Sequence, residues 1–385
     1  MNSQTIPRKL PLNWTNILFL ILTPLFGLIA APIYIHYCGF HWSDLVILVV
    51  FYGLTGLGIT MGYHRLFAHK AFEAHPIVKS ILLILGAATF QNSAFKWASD
   101  HRFHHQHVDQ EHDPYNIQKG FWYAHIGWVF FKESPNRKFD NVKDLNNDPI
   151  IMWQDKHYLS LAFGVGWLLP LLIGFFFGRP FGFFLWGGLI RTVLVHHGTF
   201  FINSMAHFFG KQTYDDQCSA KDSWWLAFFA LGEGFHNFHH KFQVDYRNGV
   251  RWFHWDPSKW VIRLCSWFGL THNLRRMPDA VILRRRLEMD IKRVQKKLSL
   301  SNHSEHWIQI KKDLDHARLV LEKALTDWKK ALHEYAHLKQ KIPQKARELR
   351  AQCKWEIKRQ KMVFQQSLKN WNQVIHFYST TPQLA

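Results

Sequence analysis

Cysteine is scarce in this chain. Cys38, Cys218, Cys265 and Cys353 are scattered over 385 residues with no CxxC pair. That pattern excludes a disulfide scaffold and a thiolate metal site, and is expected of idle thiols in a reducing compartment. Acidic residues are few as well: 28 Asp+Glu against 47 Lys+Arg leave a net charge of +19. Long apolar runs are missing from residues 281–385. That segment holds 23 of the basic and 10 of the acidic residues, and so +13 of the +19. No base-reading motif accompanies the charge, so nucleic acid is not an expected partner; anionic lipid headgroups or an acidic protein are. A signal-peptide cleavage site is lacking too, and the first apolar run is too long for one.

The first 280 residues are of another kind, aromatic and apolar. The mean hydropathy of -0.18 averages these two unlike parts. A membrane-spanning helix needs about 20 mostly apolar residues. Residues 14–36 and 44–62 meet that need as one hairpin, and 158–178 and 181–206 as a second. Pro24 is tolerated as a kink. The apolar stretch 77–95 is read as an interfacial helix, because a crossing there would put the histidine clusters on opposite sides of the bilayer. Residues 224–234 are too short to span. Arg8 and Lys9 precede the first span, and basic residues crowd 63–157 and everything after 206. The positive-inside rule therefore puts both termini and all the histidine clusters on the cytoplasmic side. After 280 the pattern turns to heptads. Trp307, Leu314, Leu321, Trp328 and Tyr335 recur every seven residues, with Ile310, Ala317, Ala324, Ala331 and Leu338 at the three-residue offset. Ser-Asn-His-Ser at 301–304 and Pro343 break the run at either side, which predicts two or three helices folded back on one another.

Histidine clusters stand beside these apolar runs: HRLFAH at 64–69, HRFHH at 101–105, NSMAH at 203–207 and GEGFHNFHH at 232–240. Imidazole is a good ligand for first-row transition metals. Nine histidines, His64, His69, His101, His104, His105, His207, His236, His239 and His240, suffice for two ions with a position left open. Residues three and four apart share a helix face, so His101 can converge with His104 and His105, and His236 with His239 and His240. Asn203 and His207 are likewise one turn apart. His64 and His69 are five apart, which does not align on a regular helix, so the second span is expected to end or unwind there. Asp100, Asp113 and Glu233 adjoin the boxes and are read as orienting imidazole N–H groups from behind. Zinc prefers four ligands and fewer histidines per site; iron suits this nitrogen-rich set and can activate dioxygen. A site at the membrane surface points to an acyl chain as the oxidised substrate.

The four boxes, in this order and spacing, resemble those of the membrane acyl-CoA Δ9-desaturase (stearoyl-CoA desaturase) family over about residues 10–275. Gln91-Asn92, Asp113-Pro114 and the HIGW at 125–128 are further shared landmarks. The resemblance implies two iron ions, cycling between Fe2+ and Fe3+, and O2 as cosubstrate for removing two hydrogens from a saturated acyl chain. It assigns His64, His69, His101, His105 and His239 to one iron. His104, His207, His236 and His240 go to the other, with Asn203 holding a water on it. It also implies substrate contacts at Asn16, Asn92, Asp100, Lys132 and Phe200, and aromatic tunnel walls such as Trp97, Phe200 and Phe201. The chain departs from the animal enzymes at Ser99, where they have Arg, at Phe200, where they have Trp, and after Lys132, where Glu133 replaces a basic residue. No HPGG haem motif occurs, so the electrons are expected from a separate ferredoxin, cytochrome b5 or reductase.

The expected fold is all-α. A four-helix, two-hairpin membrane core carries a cytoplasmic helical catalytic cap in residues 1–280, and coiled-coil-like helices follow in 281–385. The expected function is insertion of a cis double bond at Δ9 into an acyl-CoA or acyl-lipid chain. The C-terminal helices are candidates for homo-oligomer or donor contacts. A membrane di-iron hydroxylase of lipids or alkanes is the nearest alternative, since it uses a similar histidine set. A metal transporter would place its ligands near the bilayer midplane, not at the ends of the spans. A coiled-coil adaptor with a relic site would have lost some of the nine.

Overall fold

A computed structural model describes residues 11–132, 138–299, 307–341 and 347–380. Arg8, Lys9, Glu133, the 301–304 break and Pro343 lie outside the described residues. The chain is largely helical and divides into two compact units, one of residues 1–212 with 217–276, the other of 213–216 with 277–385.

In the first unit, three helices are long and apolar enough to cross a membrane: α1 (Trp14–Cys38), α2 (Trp42–Ala68) and α7 (Tyr158–Phe176). Between them lie α3 (Pro76–Ala87), α4 (Ala94–His107), α5 (Phe121–His125) and α6 (Pro149–Lys156). After α7 comes α8, helical over 180–208, and then α9 (Trp224–Phe229), α10 (His236–Lys241) and α11 (Pro257–Trp267). Strands β1 (Glu73–Ala74) and β2 (Thr271–His272) pair antiparallel with Glu73 opposite His272, tying the start of α3 to the end of α11.

Helix α8 is absent from the three apolar spans for a packing reason. It is the element that touches α1, α2 and α7 alike, so its residues meet protein on several sides and need not be lipophilic. Arg191, fully buried on it, donates to the carbonyls of Ala88 and Gly166, each at 2.7 Å, and to Gly187 at 3.1 Å. Those bonds replace the water an exposed guanidinium would have. On α1, by contrast, Leu28 is 75% exposed, as suits a helix bathed in lipid.

The second span runs past the expected residue 62 and does not unwind at His64. From Gly58 to Ala68 it widens into a π-helix. Here His69 N–H donates to the His64 carbonyl at 3.0 Å, an i to i+5 bond. That wider turn stacks residues five apart, so the HxxxxH spacing does align, with the two rings 4.9 Å apart. Gly58 permits the close approach of α3: a Cβ there would meet the Gly86 backbone nitrogen at 2.4 Å.

Helix α3 has twelve residues, roughly 18 Å at 1.5 Å per residue, and is too short to cross a hydrocarbon core of about 30 Å. Its stretch ends at Ala87, earlier than the expected 95. The chain then turns through Phe90 and Asn92, both at positive φ, before Ser93 caps α4.

The second unit is built on α12 (Asp279–Ser299), α13 (Trp307–Lys341) and α14 (Arg347–Thr380). The heptad seam is its core. Ile310, Leu314 and Leu321 are buried with Leu287, Ile291, Val294 and Trp371, and Trp328 stacks on Phe364 at 5.5 Å. The indole N–H of Trp371 donates to Asp290 Oδ2 at 3.1 Å, which satisfies the one polar group of that buried ring.

Candidate metal centre and substrate cavity

The π-helical end of α2, α4, the last turn of α8 and α10 bring the nine histidines together. They form two groups. In one, donor nitrogens of His64, His69, His101, His105 and His239 all lie within 4.8 Å of one another; in the other, those of His104, His207, His236 and His240 do. Helical spacing lets His101, His104 and His105 converge on one face. The fold separates them: α4 lies between the groups and sends His104 to the second. Helix α10 is divided in the same way, with His239 in the first group.

The inner nitrogens face each other closely. His69 Nε2 is 2.8 Å from His101 Nε2, and His239 Nε2 is 3.0 Å from that of His64 and 2.9 Å from that of His105. In the second group His236 Nε2 is 3.1 Å from His207 and 3.0 Å from His240. One imidazole N–H can satisfy one such contact, yet several nitrogens converge on each centre. A cation at each centre would take all these lone pairs at once, so the donor set fits a pair of metal ions. Burial, reinforced by neighbouring imidazoles, drives the pKa of His69, His101, His105, His236, His239 and His240 well below the ordinary value. Neutral imidazole is the ligand form.

Outer groups fix three of the rings. His64 Nδ1 is 2.9 Å from Glu233 Oε2, His104 Nδ1 is 2.8 Å from Asp113 Oδ1, and His207 Nδ1 is 2.7 Å from Ser219 Oγ. In His104 and His207 these hydrogen bonds draw the proton to Nδ1 and leave Nε2 as the donor atom, while Glu233 stands beside His64 Nδ1 as an acid at ion-pair distance. Burial pushes the Glu233 carboxyl up, but His64 and Arg65 beside it pull it further down, below its ordinary value. Arg65 is itself fully buried and reaches Glu233 and Asp256, each at 2.9 Å. Arg102, between the ligands of α4, donates to the carbonyls of Phe67 and Ala68 at 2.7 and 2.8 Å, bracing the chain that ends in His69. Asp113 and Glu233 thus stand where the sequence put them, while Asp100 lines the cavity.

That cavity has a volume of about 1640 Å³ and reaches His64, His101, His104 and His236. Asn16, Asn92, Asp100, Lys132, Phe200 and Asn203 all line it, as do Trp97 and Ser99. Its lining includes polar and charged side chains such as Asn13, Lys96, Lys119 and Lys138, and aromatic ones such as Tyr52 and the mutually packed Phe19, Phe90 and Phe163. Trp97 stacks on His101 with ring centres 4.9 Å apart, so wall and metal ligand are in direct contact. Asn16 is held by a 3.1 Å bond to the Val129 carbonyl, and the backbone of Asn92 by one of 2.9 Å to Tyr158 Oη. Phe201 is not among the residues that line this cavity; it packs on His125 at 4.7 Å. Sequence reading missed Ser219, Asp256, Arg65 and Arg102. The two arginines follow a box histidine directly, which is a weak signal. Ser219 and Asp256 carry none, because their role exists only through long-range contact.

Residues 40–273 match the fatty acid desaturase family profile. The chain belongs to the fatty acid desaturase family. It is 41% identical over 273 residues to the probable acyl-CoA desaturase of Schizosaccharomyces pombe, covering 70% of this chain and 56% of that protein. It is 35% identical over 296 residues to acyl-CoA desaturase 1 of Saccharomyces cerevisiae, covering 76% and 57%. The sn-1 stearoyl-lipid 9-desaturase of Anabaena variabilis is 33% identical over 272 residues, or 69% of this chain and 95% of the relative. The match to the two yeast proteins spans little more than half of their lengths. The family profile itself stops at 273, before α12 begins.

Proposed function

We propose that this desaturase-family chain is a di-iron acyl desaturase that places a cis double bond at Δ9 in a saturated acyl-CoA or acyl-lipid, using O2 and two electrons. One observation carries the reading: two groups of converging imidazoles border a cavity lined by aromatic side chains and by polar and charged ones, lysines among them. His64, His69, His101, His105 and His239 would hold one iron, and His104, His207, His236 and His240 the other, with Asn203 reaching the second through a water. Iron supplies the dioxygen chemistry when bound. The chain supplies position and dryness. Aromatic walls hold the acyl chain in one place and keep water from the site. Asn16, Asp100 and Lys132 would serve the carrier end of the substrate, Asn92 and Phe200 its chain, and Trp97, stacked on His101, stands beside the metal groups.

Four crossings by α1, α2, α7 and α8, with the site and both termini cytoplasmic, follow from the positive-inside pattern. Residues 1–280 would be the catalytic domain and 281–385 a basic appendage. Electrons would come from a separate donor, and the appendage is a candidate for donor, lipid or self association.

Two measurements test the reading. Freshly purified protein should hold close to two irons per chain. Cells expressing it should accumulate monounsaturated fatty acids whose double bond maps to Δ9 by mass spectrometry. Active protein with stoichiometric zinc would refute the iron assignment, and hydroxylated products would refute desaturation.

A further inference from the structure

His104 and His207 belong to the same metal group but stand on different helices, α4 and α8. Behind them lies one short turn, residues 109–113. Asp113 Oδ1 takes the Nδ1 proton of His104 at 2.8 Å. Its Oδ2 accepts from the Asp109 backbone N–H at 3.1 Å, so the two acids of the turn are tied together. Asp109 then reaches across to the loop before α9. Its Oδ1 accepts from the Ser219 hydroxyl at 2.5 Å and its Oδ2 from the Ser219 backbone N–H at 2.6 Å. Ser219 Oγ is in turn 2.7 Å from His207 Nδ1.

We infer that Asp109 is a positioning residue that acts through Ser219 on His207, so that a single turn sets the angle and tautomer of both His104 and His207. The inference rests on the metal reading given above. Its logic is directional. A hydroxyl has one proton to give. With that proton committed to the Asp109 carboxylate, Ser219 can only accept from His207, which places the imidazole proton on Nδ1 and leaves the inner Nε2 free to bind metal. Without the carboxylate the hydroxyl can rotate and donate to His207 instead, stabilising the tautomer that cannot bind through Nε2. The backbone fits the task. Asp109 sits at φ 62°, a conformation that Asp, Asn and Gly tolerate and most residues do not. That turn aims the carboxylate across to Ser219 while Asp113 stays on the His104 side. His236, the neighbour of His207 in this group, has no hydrogen-bond partner on Nδ1 among the described residues. The outer contacts of His104 and His207 thus both run through this turn.

The test uses the full-length protein loaded with iron-57, in nanodiscs, and reads metal binding independently of turnover. Asp109→Asn and Asp109→Gly keep the left-handed turn but remove the charge, Ser219→Ala removes the hydroxyl, and Ser219→Thr restores it. In the Asp109 variants and Ser219→Ala, one of two irons should be lost roughly 10–100-fold faster to a chelator. One of two Mössbauer components should change while the other stays, and Ser219→Thr should return to the parental values. If these variants keep both irons with parental rates and spectrum, the inference is overturned. If both irons loosen equally, the turn only supports folding, and the inference is again overturned. A parental chain that binds no iron pair would instead refute the metal reading, and the clamp with it.

Discussion

Glu233 Oε2 lies 2.9 Å from His64 Nδ1, and the other oxygen of the same carboxylate lies 2.9 Å from Arg65. Adjacent residues of one box are thus fixed by one buried acid 168 positions away. The carboxylate orients the ligand, and the guanidinium keeps the carboxylate ionised. Glu233→Gln retains the shape but removes the charge, leaving Asp256 as the acid paired with Arg65. Breaking a buried ion pair costs about 3–5 kcal/mol, and losing such an outer partner costs roughly 10–100-fold in metal affinity. Thermal unfolding and iron retention under a chelator should both fall. Parental values in both would remove Glu233 from the role.

His105 and His240 are partly buried ligand candidates at the edge of each group, with rings stacked 4.3 Å apart. The histidines nearest to each are themselves members of the two groups, so none of them is spare. His105→Ala and His240→Ala should each abolish product while the protein still inserts into membranes. Product analysis and membrane fractionation check this, and unimpaired turnover by either variant would contradict the ligand role.

Asp144 offers a pH test away from the imidazoles. Burial raises its carboxyl pKa, but Arg102 and Lys70 beside it win and lower it to about 2. Because the folded pKa lies below the unfolded value of about 3.9, its stabilisation is complete above that value and is lost as pH falls toward 2. Asp144→Asn should therefore melt lower than the parent near neutrality, and the gap should close on acidification through that window. A gap that persists unchanged at the acid end would show that the pair with Arg102 does not act through charge.

Deletion of 281–385 should leave the metal groups whole, since every ligand precedes residue 241. Turnover with a chemical or saturating protein electron source should persist. Its salt dependence should flatten, because +13 of the net charge is gone. Vanished turnover or lost iron would place the appendage inside the catalytic fold. A salt profile identical to full length would leave it no docking role.

What the sequence by itself determined is local and periodic. The apolar runs, the heptad seam and the identity of the nine histidines are legible because period and composition are properties of short windows. The five-residue spacing of His64 and His69 held a further signal, a π-helical turn, that a regular-helix reading passes over. Tertiary structure decided the rest. It divided α4 and α10 between two metal groups, although their spacing alone would let each serve one. It packed α8, which is not among the three apolar candidate spans, against α1, α2 and α7, where Arg191 finds carbonyls. It also brought Glu233 to His64, Asp256 to Arg65, and Asp109 through Ser219 to His207. These contacts join residues tens to hundreds of positions apart, and nothing in a short window of sequence records which distant segments packing will bring together.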